Sequence, residues 1–233
     1  MNRRKDPKSH SEISCSILRN QDFREAVDLL TEAFCQHDPV ESALKITPDE
    51  FRVLVELELQ AVLGNDLSLA GRDAHSGRMV GALVAMDALT GSADCRGRIS
   101  QKFEPISEIA RNLHDFYIEN RKIVPGSCLY VFMIGVRSDI AGHGIGKMLI
   151  REGLKNARTK GYRSAFVMTT NLASANVFES HRFRTLKTVS YQTFRYKDRL
   201  EFASITQHPG IALMERECLV DSSQDAALPA RSS

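Results

Sequence analysis

At 233 residues and 26.0 kDa, the chain suits one domain with a full hydrophobic core and leaves little room for a second. Its 31 basic and 29 acidic side chains leave a net charge of +2, which excludes a global field steering it to nucleic acid or to an acidic membrane. Charge recognition has to be local.

In chain order, the opening MNRRKDPKSH has no apolar stretch of the signal-peptide kind, and no later run nears the roughly 18 apolar residues of a membrane span. Five scattered cysteines, Cys15, Cys35, Cys95, Cys128 and Cys218, form no C-x-x-C pair. That odd count argues against a disulfide framework or a zinc site and for a reducing compartment, so a soluble, cytoplasmic protein without a metal is expected. The polar opening predicts a disordered tail over residues 1–14, and the small, polar residues 221–233 predict a second, leaving 15–220 as the folded domain. Phe23, Ala26, Val27, Leu30, Ala33 and Phe34 recur at helical spacing behind Asp22, which can form a capping box with Glu25. Thr47-Pro48-Asp49-Glu50 is a stronger helix start, with Gly64 able to end that helix. Leu67–Ala70 and Met79–Ala85 flank a turn containing Asp73 and Gly77, as in a hairpin. Ile106, Ile109, Ala110, Leu113, Phe116 and Tyr117 mark a further amphipathic helix before Pro125-Gly126.

From Cys128 the pattern becomes strand, helix, strand. Residues 128–134 are apolar β-formers, Ile145–Thr159 has helical spacing and stops before Gly161, and Ser164–Met168 is a buried strand, so the three make a βαβ unit. Ser174–Ser180 suggests a short helix, and Thr185–Tyr196 and Gly210–Glu217 suggest strands. The class is therefore α/β: a mixed, mostly antiparallel sheet with flanking helices that leads into a βαβ.

Gly142, Gly144 and Gly146 fall where the first βαβ strand gives way to its helix. Missing side chains allow positive φ and a close ligand, while the first N–H groups of the helix point outward with the positive end of its dipole. A lone G-x-G pair reads as a plain turn; three glycines at this junction favour an anion cradle. The stretch lacks the third glycine of a dinucleotide fingerprint and contains no G-x-x-x-x-G-K-[ST].

Val136–Leu149 resembles the coenzyme A pyrophosphate loop of the GNAT acyltransferases, R/Q-x-x-G-x-G/A, with Ala141 at the Arg/Gln position. Asn171 to Phe183 resembles the family's N-x-x-S/A-x-x-x-Y-x-x-x-G-F segment, with Phe178 for the tyrosine and Arg182 for the glycine. Weaker matches point to the invertebrate (insect-type) arylalkylamine N-acetyltransferases: Ala33–Val40 resembles their F-x-x-x-E-P-L/M with aspartate for glutamate, the long helix 105–120 precedes the fourth strand as it does there, and Tyr196-Lys197-Asp198 and His208–Met214 resemble their closing segments. The resemblance implies a GNAT fold and acetyl-CoA as co-substrate. It also implies acetyl transfer to a primary amine, an arylalkylamine such as dopamine, serotonin, tyramine or octopamine, by direct attack in a ternary complex. A protein-lysine or polyamine acceptor, and a coenzyme-binding regulatory module without turnover, are the alternatives.

The resemblance places the coenzyme on Ile134 and Val136, on the loop Gly142, His143, Gly144, Ile145, Gly146 and Lys147, and beside Asn171, Ser174 and Phe178. Many members protonate the leaving thiolate from the tyrosine at position 178; a phenyl ring has no proton to give. Asp38 is the candidate base for the incoming ammonium. At the reference pKa of about 3.9 it needs burial or a relaying water to act, and its neighbour His37 is the alternative. Thr170 and Ser174 stand where the insect-type enzymes carry serines implicated in catalysis or coenzyme contact, although Ser174 also suits a helix N-cap. The side chains of His143 and His181 read as loop residues without ligand roles. Phe34, Phe178, Phe183 and Tyr130 are expected to line an aromatic acceptor pocket, with Asp38 and Asp139 the only carboxylates expected nearby.

Overall fold

The computed structural model describes residues 12–90, 93 and 95–217. Seven strands form one sheet in the order β1-β2-β3-β4-β5-β7-β6, with β1 at Ile13–Ile17, β2 at Leu69–Asp73, β3 at Met79–Asp87, β4 at Cys128–Val136, β5 at Ser164–Thr169, β6 at Arg184–Ser190 and β7 at Gly210–Glu217. Only β4 and β5 run parallel; every other neighbour is antiparallel. The helices are α1 (Phe23–His37), α2 (Pro39–Ala43), α3 (Pro48–Val62), α4 (Glu104–Arg121), α5 (Ile145–Thr159) and α6 (Leu172–Glu179). This is the expected mixed sheet with a βαβ made of β4, α5 and β5.

Strand alternation divides the core between the two faces of the sheet. Ala82, Val84 and Met86 of β3 join a cluster with α1, α3 and α4, while Leu83 and Ala85 face α5 and Phe178. Glu215 of β7 is fully buried, and its carboxylate accepts Arg121 Nε at 2.8 Å and Nη2 at 2.6 Å and Arg184 Nη2 at 2.8 Å. A buried carboxylate is stable only when paired, so this clasp ties the end of α4 to β6 and β7.

Several expected boundaries move. β1 begins at Ile13, inside the tail placed over residues 1–14, because its ladder with β2 starts at Ile13 opposite Asp73; the remaining tail residues 1–11 and 221–233 lie outside the described residues. Asp22 and Glu25 do not cap α1 as a box. Asp22 instead accepts the Arg19 N–H at 2.8 Å and Arg72 Nη2 at 2.7 Å, and Glu25 accepts the Met79 N–H at 2.7 Å and Arg72 Nη1 at 2.7 Å, binding α1 to the β2–β3 hairpin. The capping box at Thr47 and Glu50 forms as read. The strand expected over Thr185–Tyr196 stops at Ser190, whose carbonyl and hydroxyl take the N–H groups of Phe194 and Gln192 in a turn. The helix expected from Ser174 starts at Leu172, because Asn171 is its cap and accepts the Ser174 N–H at 2.8 Å.

Helix α1 lies directly on β4 where that strand has no side chain. A Cβ built on Gly135 would stand 3.0 Å from Leu30 Cδ2 and 3.2 Å from Ala33 Cβ, closer than packed carbons sit. Gly135→Val is therefore expected to lower unfolding stability by about 1–3 kcal/mol, the usual cost of overpacking, read as an earlier denaturant midpoint. Because α1 ends at Asp38, the same change should also lower any activity that depends on that residue.

Candidate active site

The parallel pairing of β4 with β5 runs only from Cys128 opposite Ser164 to Val131 opposite Val167. Beyond it β5 continues along β7 to Thr169, and β4 continues along β3 to Val136. Val84 faces Met133 and Ala85 faces Val131, so Phe132 is one extra residue in β4. Such a bulge bends its strand and frees backbone groups from the ladder. The strands part here, and β4 residues Phe132 to Val136 present to the gap an edge that β5 does not pair.

A cavity of about 1150 Å³ opens on this gap. Its lining includes Tyr130 and Ile134 to Val136 from β4, Thr170, Asn171, Ser174 and Phe178 after β5, and Phe34, His37, Asp38 and Glu41 from the α1–α2 corner. Asp38 is buried and is the N-cap of α2: its Oδ1 accepts the Val40 N–H at 3.0 Å, and its Oδ2 accepts the Thr170 hydroxyl from 132 residues away. Thr170 is itself held by the Tyr191 hydroxyl, which donates to its carbonyl at 2.7 Å. Glu41, on the next turn, is buried too, and its Oε2 has no hydrogen-bond partner among the described residues. Burial first, and then the adjacent Asp38 charge, push the Glu41 carboxyl well above the usual carboxylate range.

Buried Glu58, with Glu104 and Glu108, adds carboxylates to the wall. Glu104 accepts the Tyr196 hydroxyl and Lys197 Nζ at 3.0 Å, and these bonds, Tyr196 first, hold its carboxyl below the usual range. At the other end of the gap, Gly142 and Gly144 have φ of +82° and +79°, a region L side chains rarely adopt, and a Cβ on either would meet nothing within 4 Å. The N-terminal turn of the 15-residue α5 therefore faces open space with its N–H groups unpaired. His143 Nδ1 turns back to the Ile140 carbonyl at 2.9 Å, Ile145 is buried in the core, and exposed Lys147 has no ion pair among the described residues. The donors suit a pyrophosphate, delivered by backbone rather than by side chains.

A sequence profile decides what this arrangement belongs to: residues 69–183, from β2 to the turn before β6, match that of the acetyltransferase (GNAT) family. Residues 69–183 belong to the GNAT acetyltransferase family. That family uses acetyl-CoA. Among solved structures the GNAT fold of this chain is similar to the C-terminal condensation domain of Ebony in complex with β-alanyl-dopamine, with a TM-score of 0.80 and 17% identity over 88% of this chain and 99% of that one. It is also similar to arylalkylamine N-acetyltransferase 2 from Aedes aegypti, at 0.75 and 16% over 88% and 99%. A third likeness is to the Drosophila melanogaster polyamine N-acetyltransferase that forms N-acetylagmatine, at 0.70 and 16% over 88% and 100%.

Of the site residues read from sequence, Asp38, Ile134, Val136, Thr170, Asn171, Ser174 and Phe178 reach the one cavity, while the 142–147 loop lies beyond its lining at the end of the same strand. Ser174 is not a cap, and Phe178 is a fully buried ring set edge-on to Phe183 at 5.1 Å. Phe183 does not line the cavity, so the aromatic wall consists of Phe34, Tyr130 and Phe132 more than of the residues expected after β5. Asp139 is exposed and paired to Arg78 at 2.9 Å, away from the cavity. The carboxylates missed were Glu41, Glu58, Glu104 and Glu108. Asp38-Pro39 carries the same cap-then-proline signal as Thr47-Pro48 and would have revealed α2, with Glu41 one turn on.

A carboxyl raised by folding binds its proton more tightly in the native state, so it contributes stability at pH values below the unfolded pKa and loses it as pH climbs toward the folded one. Replacing it with an amide that cannot ionise removes that loss. Glu41→Gln is therefore expected to raise Tm at pH 7 relative to the parent, with the gain shrinking as pH falls toward 4. A thermal melt series between those limits measures it.

Proposed function

We propose that this GNAT protein transfers an acyl group, foremost acetyl, from coenzyme A to the primary amine of an arylalkylamine of the dopamine, serotonin, tyramine or octopamine type, by direct attack in a ternary complex. The observation that carries the reading is Asp38, bonded to Thr170, buried beside the gap between β4 and β5 in an aromatic-walled cavity. Asp38 takes a proton from the ammonium so that the nitrogen can attack. Thr170 fixes the carboxylate by its hydroxyl hydrogen bond. Backbone N–H groups of the β4 edge around Ile134 to Val136 stabilise the negative charge that develops on the thioester oxygen. The backbone of Gly142 to Lys147 holds the pyrophosphate, and Asn171, Ser174 and Phe178 flank the pantetheine arm. A coenzyme thiolate, with a pKa of about 8.5 as for cysteine, departs with little help, so the phenyl ring at 178 is compatible with turnover. The free thiols of Cys15, Cys35, Cys95 and Cys128 suit the cytoplasm.

A polyamine or agmatine-like acceptor is the second reading, favoured by Glu58, Glu104 and Glu108 in the cavity lining. Those carboxylates would hold a second cation remote from the reacting nitrogen. Glu108 has no ion-pair partner among the described residues.

Gly144→Val is expected to abolish acetyl-CoA binding in calorimetry, since its side chain would fill the space in front of the α5 N–H groups. Retained affinity would remove the cradle from the site. Asp38→Asn keeps a capping oxygen for α2 and loses the base, so kcat should fall by about 10²–10⁴-fold with coenzyme affinity little changed. Full activity would return Asp38 to a purely structural part, and a larger loss in His37→Ala would transfer the role there. Thiol release across phenethylamine, indole-ethylamine, spermidine and agmatine ranks the acceptors by kcat/KM. The first two should lead; a polyamine in first place selects the second reading, and coenzyme binding without release from any amine selects a module without turnover.

A further inference from the structure

The α1–α2 corner places two carboxyl groups in one buried site without a cation. Asp38 and Glu41 are each only 8% exposed, stand three residues apart at the cap and in the first turn of α2, and line the same cavity. Both oxygens of Asp38 already accept bonds, from the Val40 N–H and the Thr170 hydroxyl, whereas Glu41 Oε2 accepts none. Among the described residues no lysine or arginine is ion-paired with either group. The titratable groups around the pair are the Cys35 thiol, pushed up to about 11 by burial and by Glu41, the Tyr191 phenol, pushed up by burial and then by Asp38 and Glu41, and the exposed His37 ring. Neither the thiol nor the phenol supplies positive charge. Burial first, and then the Asp38 charge, disfavour ionisation of Glu41, and a buried polar oxygen left without a partner costs about 1–3 kcal/mol. The site is one cation short.

We propose that Asp38 and Glu41 form a carboxyl–carboxylate pair that holds one proton between them and receives the acceptor's ammonium, with Glu41 Oε2 as the second contact of its nitrogen. The inference rests on the acyltransferase reading. Before the amine arrives the pair carries one negative charge, which matches one ammonium. One N–H donates to Asp38 and another to Glu41 Oε2, and the proton on the first passes to Asp38. The nitrogen lone pair then forms the C–N bond and the C–S bond breaks with its electrons on sulfur. The second nitrogen proton goes to the departing sulfur, and Asp38 releases its proton to water. The sum is one ammonium and one thioester giving one amide, one thiol and one proton. Holding the nitrogen at two points also fixes the direction of its lone pair, which one carboxylate does not do.

The test has two arms that fail separately. In the first, carboxyl ¹³C resonances of the full chain are followed from pH 4 to 9, with Glu41 and Asp38 assigned through Glu41→Gln and Asp38→Asn. The expected result at neutral pH is a protonated Glu41 beside an ionised Asp38; an ionised Glu41 at neutral pH overturns the pair, whatever the enzyme does. In the second, kcat/KM for the best amine is measured in Glu41→Gln and Glu41→Leu, with acetyl-CoA affinity read by calorimetry. The amide keeps a donor and an acceptor and is fixed neutral, so Glu41→Gln should lose any alkaline break that Glu41 causes in the pH profile of kcat/KM; Glu41→Leu should lose about ten- to a hundredfold, the worth of one hydrogen bond to a charged group, with coenzyme affinity unchanged. Full activity in Glu41→Leu overturns the contact with the amine. Absence of thiol release from every amine in the parent protein sinks the acyltransferase reading instead, and the resonance arm then decides the proton on its own.

Discussion

The parting of β4 from β5 beyond Val131 and Val167 is the constraint on which the remaining architecture depends. Parallel neighbours pair along their common length unless something prevents it, and here the extra residue Phe132 does. By inserting one position it puts Phe132 and Met133 on the same side of the sheet, breaks the alternation, and turns the end of β4 away from β5. The result is a wedge whose inner edge is bare backbone. Both the opening of α5, which follows β4, and the residues after β5 necessarily arrive at that wedge, because the two strands run parallel and both end there.

The surrounding helices keep the wedge open. Helix α1 packs on β4 through the vacancy at Gly135, bringing its last turn and Asp38 across the sheet to Thr170. Helix α4 forms the outer wall, and its far end is fastened by Arg121 to the buried Glu215 that Arg184 also grips. One end of α4 is thus held by the ion pair of Arg121 with buried Glu215 and the other by Tyr196 and Lys197 on Glu104. The wall is braced at both ends.

How legible these features were in the sequence follows the range of the forces that make them. Helix α5 matched residue by residue because its limits are local: positive φ at Gly144 before it and at Gly161 after it. Strand β7 matched for the same reason of strong local pattern. The capping box at Asp22 failed because Arg72, from a distant strand, competes for the same carboxylates, and spacing says nothing about such a rival. In the candidate site, glycines and a hydroxyl pattern pointed to the side proposed for the coenzyme, which is built of backbone and short motifs. On the side proposed for the acceptor, Asp38, Phe34 and Tyr130 were legible. Its other carboxylates come from α2, α3 and α4, and they share a cavity solely through tertiary packing.

Asp38 occupies two offices at once. One oxygen terminates the backbone of α2, and the other faces the hydroxyl of Thr170. An aspartate reaches its own i+2 amide because its arm is short; the glutamate found at this position in the resembling enzymes has one more methylene and is a poor cap. The shorter acid therefore exchanges reach for immobility. Its orientation is set by the main chain, and little rotational freedom is left to it. Removing this side chain would take away the cap of α2 together with the link to Thr170, and with the cap the turn that brings Glu41 to its side.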